Sequence, residues 1–156
     1  MNEAIVKNFK EIIDDDDKLY ILGDCFLCDN EKGIELVKSL PGEKYIIWGN
    51  HDDTPNRQKI LEKAGFNCLG YANTLKYKGY HFYLSHYPTI TSNHDADKPL
   101  KRRVINLCGH IHTTNKFLSM DKGLCYHVEL DAHENKPVLI DDIIKDIKEK
   151  IHEEKN

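Results

Sequence analysis

The sequence predicts an α/β fold in which helices cover two layers of β-structure. Amphipathic helical segments alternate with short apolar strands in the first half, and strand patterns dominate the second half. A strand, a helix and another strand in succession favour parallel pairing. The chain has 156 residues, which is enough for one hydrophobic core. We therefore predict a single domain over residues 1–156.

The helices of the first half are predicted from apolar residues that recur at helical spacing. The first of them carries Ile5, Phe9 and Ile12 on one face, opposite lysine and glutamate. Short apolar runs that end at a glycine are instead typical of buried strands. These patterns predict helices at 3–13, 31–39 and 57–64 and strands at 19–22 and 45–48.

The second half contains apolar segments that are too short for helices and rich in β-branched or aromatic residues. Gly79 separates two of them and predicts a hairpin turn. A stripe of isoleucines predicts a closing helix from residue 140. The predicted strands lie at 66–69, 74–77, 80–84, 104–107 and 126–130.

The amino-acid composition and charge of the chain narrow the classes of function that it can have. The 22 basic and 26 acidic side chains leave a formal net charge of -4, so a nucleic-acid partner is not indicated. Residues 101–103 are basic, but three cations beside a strand are more typical of a solvated edge. The sequence shows no export signal and no apolar run of membrane-spanning length, and its five cysteines favour reduced thiols. We expect a cytoplasmic protein with no membrane partner.

Polar side chains follow four of the predicted strands, at the point where each strand ends. Each alone is weak evidence, because a Gly-Asp turn or a strand-end histidine is common. All four occur in order, however, and their carboxylate, amide and imidazole groups are typical ligands of divalent transition metals. These side chains are Asp24; Asn50, His51 and Asp52; His86; and His110 and His112.

The polar side chains stand in four short segments, which are Gly23-Asp24, Gly49-Asn50-His51-Asp52, His86 and Gly109-His110-Ile111-His112. The segments resemble the motifs of the calcineurin-like metallophosphoesterase family, and the resemblance extends over residues 1–145. It implies a four-layer α-β-β-α sandwich. It also implies two divalent metal ions, such as Mn, Fe, Ni or Zn, in the loops between the sheets.

The same resemblance implies which residues hold the metals. Asp24 would bridge both ions. Asn50, His86 and His110 would complete the second metal site, while His112 would belong to the first. A carboxylate can span two cations, and neutral imidazoles bind metals without cancelling their charge.

By this resemblance the reaction is hydrolysis of a phosphate monoester or a phosphodiester, with a small phosphate ester as the substrate. A metal-bound hydroxide would attack phosphorus. His51 would act as the general acid for the departing oxygen. Asp52 would orient His51 or stabilise its protonated form.

One family feature is missing from the sequence. Members begin with a strand that ends in Asp-x-His, both ligands of the first metal, and no such segment precedes the first helix here. We expect the sandwich to lack its first β-strand and to expose a strand edge. Either the gene starts upstream of Met1, the chain is a shortened form, or a second copy covers the edge in a homo-oligomer.

Two other functional classes stay open. A scaffold or interaction domain with an incomplete dimetal site would keep the fold without catalysis. A zinc or redox protein would use Cys25 and Cys28, which have the spacing of such sites. Packing within a loop is the simpler interpretation of these two cysteines.

Overall fold

The computed structural model describes residues 2–25, 30–91, 98–118 and 124–156. Within these ranges the chain forms four α-helices and two β-sheets, which confirms the predicted α/β fold. The helices are α1 (Asn2–Ile12), α2 (Asn30–Ser39), α3 (Pro55–Lys63) and α4 (Ile140–Lys155). The strands are β1 (Lys18–Leu22), β2 (Glu43–Ile47), β3 (Asn67–Cys68), β4 (Ala72–Tyr77), β5 (Tyr80–Ser85), β6 (Val104–Cys108) and β7 (Cys125–His127).

The first sheet has the order β1-β2-β3 and is parallel, as the sequence predicts. Its central strand β2 ends in Ile46 and Ile47, which are completely buried. Leu22, the last residue of β1, pairs with Ile47, so that the two strands end together. The loops that carry the first two polar segments therefore leave the sheet side by side.

Helices α1 and α3 pack on this sheet through their apolar faces. Phe9 of α1 packs with Leu19 and Leu40. Leu61 of α3 packs with Ile46. Burial of each such side chain contributes about 1.5–3 kcal/mol, and this packing holds the helices on the sheet.

The second sheet has the order β4-β5-β6-β7. Strands β4 and β5 are antiparallel and joined by the predicted turn at Gly79, whose φ is 82°. Strands β6 and β7 are added in parallel. The last strand is shorter than predicted, because it ends at His127 and a 3-10 helix, Leu130–His133, follows. Leu130 is half-buried against the apolar cluster that contains Phe9, so its apolar character indicated burial and not strand.

The largest apolar cluster joins the two sheets to α4. It contains Leu22 and Ile47 from the first sheet, Phe82 and Ile105 from the second, and Ile147 from α4. These side chains are at most 8% exposed. The shared core fixes the two sheets relative to each other, and with them the strand ends that carry the polar segments.

Strand β1 lies at one edge of its sheet in the part of the chain that the structure describes, where it pairs with β2 alone. This is the region in which the sequence predicts an exposed strand edge. On this side, the backbone of Lys18–Leu22 has no partner strand among the described residues. A homo-oligomer that covers it stays a prediction.

Helix α4 is the longest described helix, with 16 residues. Its isoleucines alternate with charged residues such as Asp142 and Lys145. A membrane-spanning helix needs about 20 predominantly apolar residues. Across the described ranges, no helix is long and apolar enough to cross a membrane.

Candidate metal centre

The carboxyl ends of β1, β2, β5 and β6 meet around the side chain of His86. This residue follows β5 and is only 3% exposed. Its ring contacts the Leu22 carbonyl at the end of β1, Asn50 after β2 and His110 after β6. The structure therefore brings together side chains from all four polar segments, since Asp24 also lies beside this ring.

The contact between His86 and Leu22 fixes the proton on the imidazole. Nδ1 of His86 lies 2.9 Å from the Leu22 carbonyl oxygen, which can only accept a hydrogen bond. Nδ1 must therefore carry the hydrogen and donate it. In a neutral imidazole this leaves a free lone pair on Nε2. This tautomer can bind a metal through Nε2.

Three polar atoms lie around this second nitrogen of His86. Asn50 Oδ1 is 2.9 Å from Nε2, His110 Nδ1 is 3.1 Å away and Asp24 Oδ2 is 3.4 Å away. One ligand atom from each of Asp24, His86 and His110 lies within 4.8 Å of the other two. Lone pairs this close repel unless a proton or a cation lies among them. Carboxylate, amide and imidazole groups are typical ligands of divalent transition metals, so these residues fit such an ion.

Three of the predicted metal ligands have a left-handed backbone. The φ angles are 49° at Asp24, 73° at His110 and 53° at His112. Aspartate and histidine tolerate this conformation better than most residues, but it still costs free energy and is concentrated at functional sites. The turns after β1 and β6 thus place three of the predicted ligands in this conformation, which Lys78, Glu134 and Asn135 also adopt.

Two motif glycines are explained by close contact between the loops. A Cβ atom on Gly49 would overlap both the carboxylate oxygen Oδ1 and the backbone nitrogen of Asp24. A Cβ on Gly23 would overlap the ring of His86 and lie 2.7 Å from the Cα of Gly49. Glycine at both positions lets the ends of β1 and β2 approach each other and brings Asp24 to the cluster.

Asp52 is completely buried and links two of the loops. Its Oδ2 accepts hydrogen bonds from the backbone N–H of Asp24, at 2.7 Å, and of Gly49, at 3.0 Å. Burial raises the pKa of this carboxyl, against the opposing effect of the backbone hydrogen bonds. Among the described contacts none joins Asp52 to the imidazole of His51, so the expected pairing of these two side chains is not formed here. The carboxylate points inward and holds the loops that carry Asp24 and Asn50.

His51 contributes to the cluster through its backbone. Its N–H donates to Asp24 Oδ1 at 2.9 Å, which leaves the other carboxylate oxygen directed at His86. The side chain of His51 is exposed. An exposed imidazole on the loop beside Asn50 can reach a bound molecule, as the proposed general acid must.

His112 is the one predicted ligand that does not lie in the cluster. Its side chain is 75% exposed, and Nδ1 lies 3.2 Å from Asp131 Oδ2. It follows the cluster residue His110 by two positions on the same turn. The assignment of His112 to a first metal therefore stays a prediction.

Tyr87 forms one wall of the cluster and was not singled out from the sequence. Its ring packs edge-on against His86, with centroids 5.1 Å apart, and against His110, at 4.7 Å. It is nevertheless 49% exposed. The tyrosine ring therefore packs against two of the candidate ligands.

Asn106, which the sequence reasoning also missed, holds the loop that carries His86. The residue is completely buried in β6. Its Oδ1 accepts from the Thr89 N–H at 2.8 Å, and its Nδ2 donates to Ser85 Oγ at 2.9 Å. A signal was present, since one amide within an apolar strand needs buried hydrogen-bond partners. The sequence could not say which partners these are.

Of the Cys25-x-x-Cys28 pair, only Cys25 can be placed, because Cys28 lies outside the described residues. Burial, with a smaller contribution from the Asp52 carboxylate, raises the pKa of the Cys25 thiol to about 12. A thiol with this pKa stays protonated near neutral pH and is a poor nucleophile. For Cys25 the structure thus favours packing in the loop.

The fold and the cluster together define a mixed α/β protein with a candidate metal centre at its strand ends. No protein-family model matches the sequence. The chain is 31% identical over 153 residues to the uncharacterized protein MJ1445 of Methanocaldococcus jannaschii, an alignment that covers 93% of this chain and 74% of that protein. The chain belongs to the same protein family as MJ1445. It also resembles the solved structure of the protein of unknown function AQ665 from Aquifex aeolicus, with a TM-score of 0.68 and 25% identity over 92% of this chain and 83% of that one.

Proposed function

We propose that this chain is a calcineurin-like metallophosphoesterase, built as the four-layer sandwich of that family, and that it hydrolyses a phosphate monoester or phosphodiester. The observation that carries the proposal is the convergence of four potential ligand atoms at the strand ends. They come from Asp24, Asn50, His86 and His110. Carboxylate, amide and imidazole lone pairs this close need a proton or a cation among them, and these groups are typical ligands of a divalent metal. The motif order also matches that family.

Asp24, Asn50, His86 and His110 would hold a divalent transition metal such as Mn, Fe, Ni or Zn. When bound, such an ion draws charge from phosphoryl oxygens and activates water for attack on phosphorus. The Leu22 carbonyl keeps the imidazole of His86 in the tautomer that presents Nε2 to the cluster.

His51 would donate a proton to the departing oxygen of the ester. An imidazole can give or take a proton near neutral pH, which suits a general acid. The backbone N–H of the same residue holds the Asp24 carboxylate. The loop that carries His51 would therefore couple the position of the acid to the position of a metal ligand.

Replacement of His51 by alanine tests the proposed acid. With Mn²⁺ supplied, we expect turnover of phenyl phosphate to fall about 100-fold or more, the usual contribution of a general acid. Turnover of 4-nitrophenyl phosphate should fall less, because its leaving group needs less help from an acid. His152, which is exposed on α4, offers a matched control, and His152→Ala should leave both rates unchanged.

Two results would contradict this proposal. Equal losses with both esters would remove the acid role of His51. The hydrolase function itself fails if the wild-type chain turns over neither an aryl phosphate nor an aryl phosphodiester faster than an Asp24→Asn, His51→Ala double variant.

A metal-binding scaffold without catalysis is the second candidate. The position of His112 favours it, because this predicted ligand faces Asp131 and not the cluster. A centre with one metal binds and stabilises a phosphoryl group less strongly than two ions about 3.5–4 Å apart. Metal uptake at the cluster without turnover of either ester would support the scaffold.

A further inference from the structure

A second group of potential ligands lies at the ends of β6 and β7. Cys108 is the last residue of β6 and pairs in register with His127 on β7. Cys125 stands two residues before His127, so that both side chains project from the same face of the strand. The sulfur atoms of Cys108 and Cys125 are 3.2 Å apart. One ligand atom from each of these three residues lies within 4.8 Å of the other two.

The group is closed to solvent. Cys108 is 0% exposed, Cys125 5% and His127 1%. Nδ1 of His127 has no hydrogen-bond partner among the described residues, and neither does Oε2 of Glu129, although both atoms are buried. Nδ1 lies 3.5 Å from the other carboxylate oxygen of Glu129. Unpartnered buried nitrogen and carboxylate oxygen atoms are rare in folded proteins, and both are metal ligands.

We propose that Cys108, Cys125 and His127 form a structural site for a thiophilic divalent cation such as Zn²⁺. The Glu129 carboxylate lies beside His127 but outside this group of three, and it would move in as the fourth ligand. Two thiolates, one imidazole and one carboxylate give the four ligands of a tetrahedral site. Binding would release the two thiol protons to solvent. At Zn–S distances of about 2.3 Å the sulfur atoms stand about 3.8 Å apart, so they need to separate only slightly.

A disulfide explains fewer of these observations. Its sulfur atoms would approach to about 2.05 Å, and formation would require an oxidant to reach two buried thiols. Among the described residues, His127 Nδ1 and Glu129 Oε2 would still have no partner. A cation would instead bind the two sulfur atoms and His127 together, and it would draw in the Glu129 carboxylate.

The proposed zinc site adjoins the metal centre at the strand ends but shares none of its ligands. The Glu129 carboxylate accepts a hydrogen bond from the Thr113 N–H at 2.8 Å, just beyond the turn that carries His110 and His112. Cys108 lies at the start of the same turn. A metal at this second site would therefore fix both ends of the turn, whether or not the first centre is catalytic.

Titration with Co²⁺ tests this proposal, because only thiolate ligands give an intense sulfur-to-cobalt charge-transfer band in the near ultraviolet. We expect the band in the wild-type chain and, undiminished, in an Asp24→Asn, His110→Ala variant, which lacks ligands of the strand-end centre. It should also persist in Cys25→Ser, Cys28→Ser. The band should be absent from Cys108→Ser, Cys125→Ser.

A second variant covers the case in which loss of both buried thiols prevents folding. His127→Ala keeps the thiols and should weaken Co²⁺ binding at least about tenfold. The proposal is overturned if the wild type gives no band, if the band survives in Cys108→Ser, Cys125→Ser, or if His127→Ala binds Co²⁺ as the wild type does. Phosphatase activity enters none of these readouts, so the two metal proposals fail separately.

Discussion

Replacement of Gly49 by alanine is expected to abolish metal binding at the strand-end centre and to reduce any phosphatase activity about 100-fold or more. The added methyl group would overlap Oδ1 and the backbone nitrogen of Asp24. The φ angle of Gly49 is not among the positive ones, so the effect is steric and not conformational. Misplacement of a reacting group by about 1 Å costs about that much in rate.

Binding of Mn²⁺ and turnover of 4-nitrophenyl phosphate measure the effect of Gly49→Ala. Gly65→Ala is the matched control, because a Cβ at that position meets nothing within 4 Å although φ is 88°. It should lose some stability and retain metal binding. If Gly49→Ala binds Mn²⁺ as tightly as the wild type, the close approach of the two loops does not position Asp24.

Replacement of Asp52 by alanine is expected to lower the free energy of unfolding by about 3 kcal/mol or more. Two backbone N–H groups, those of Asp24 and Gly49, would lose the carboxylate that accepts from them. Each unsatisfied buried donor costs about 1–3 kcal/mol. The Asp52→Asn variant keeps an acceptor oxygen for both donors and should lose less, since only the charge is removed.

Urea unfolding in the presence of a chelator measures the contribution of Asp52 without that of a bound metal. The exposed Asp16 provides the control, and Asp16→Ala should change the free energy of unfolding by less than about 0.5 kcal/mol. An Asp52→Ala chain as stable as the wild type would contradict the role in holding the loops. If Asp52→Ala instead changed the pH profile of turnover and left the stability unaltered, the result would indicate that Asp52 orients His51.

Much of the fold follows from local patterns in the sequence. Apolar runs that end in Gly-Asp or Gly-Asn mark β1 and β2, because a buried parallel strand is apolar on both faces and the chain must turn sharply at its end. The isoleucine stripe of α4 and the turn at Gly79 were equally clear. Such features depend on residues that are close together in the sequence, so they can be recognised in a single sequence.

The remaining contacts depend on which residues face each other across strands and loops. The sequence placed His86 and His110 at strand ends, but the fixed tautomer of His86 depends on the carbonyl of Leu22. Asn106 supports the loop after β5 through partners on another strand. The meeting of Cys108 with His127 likewise depends on the register of β6 and β7. No local pattern specifies these pairings.

Binding of Mn²⁺, followed by the loss of the free-ion electron paramagnetic resonance signal, tests the central claim that the strand-end cluster is a metal centre. The wild-type chain should bind Mn²⁺ stoichiometrically, and His152→Ala should do the same, because His152 is exposed on α4 and lies outside the cluster. An Asp24→Asn, His86→Ala double variant should leave the ion free. Absence of binding by the wild type, or equal binding by the double variant, would contradict the account.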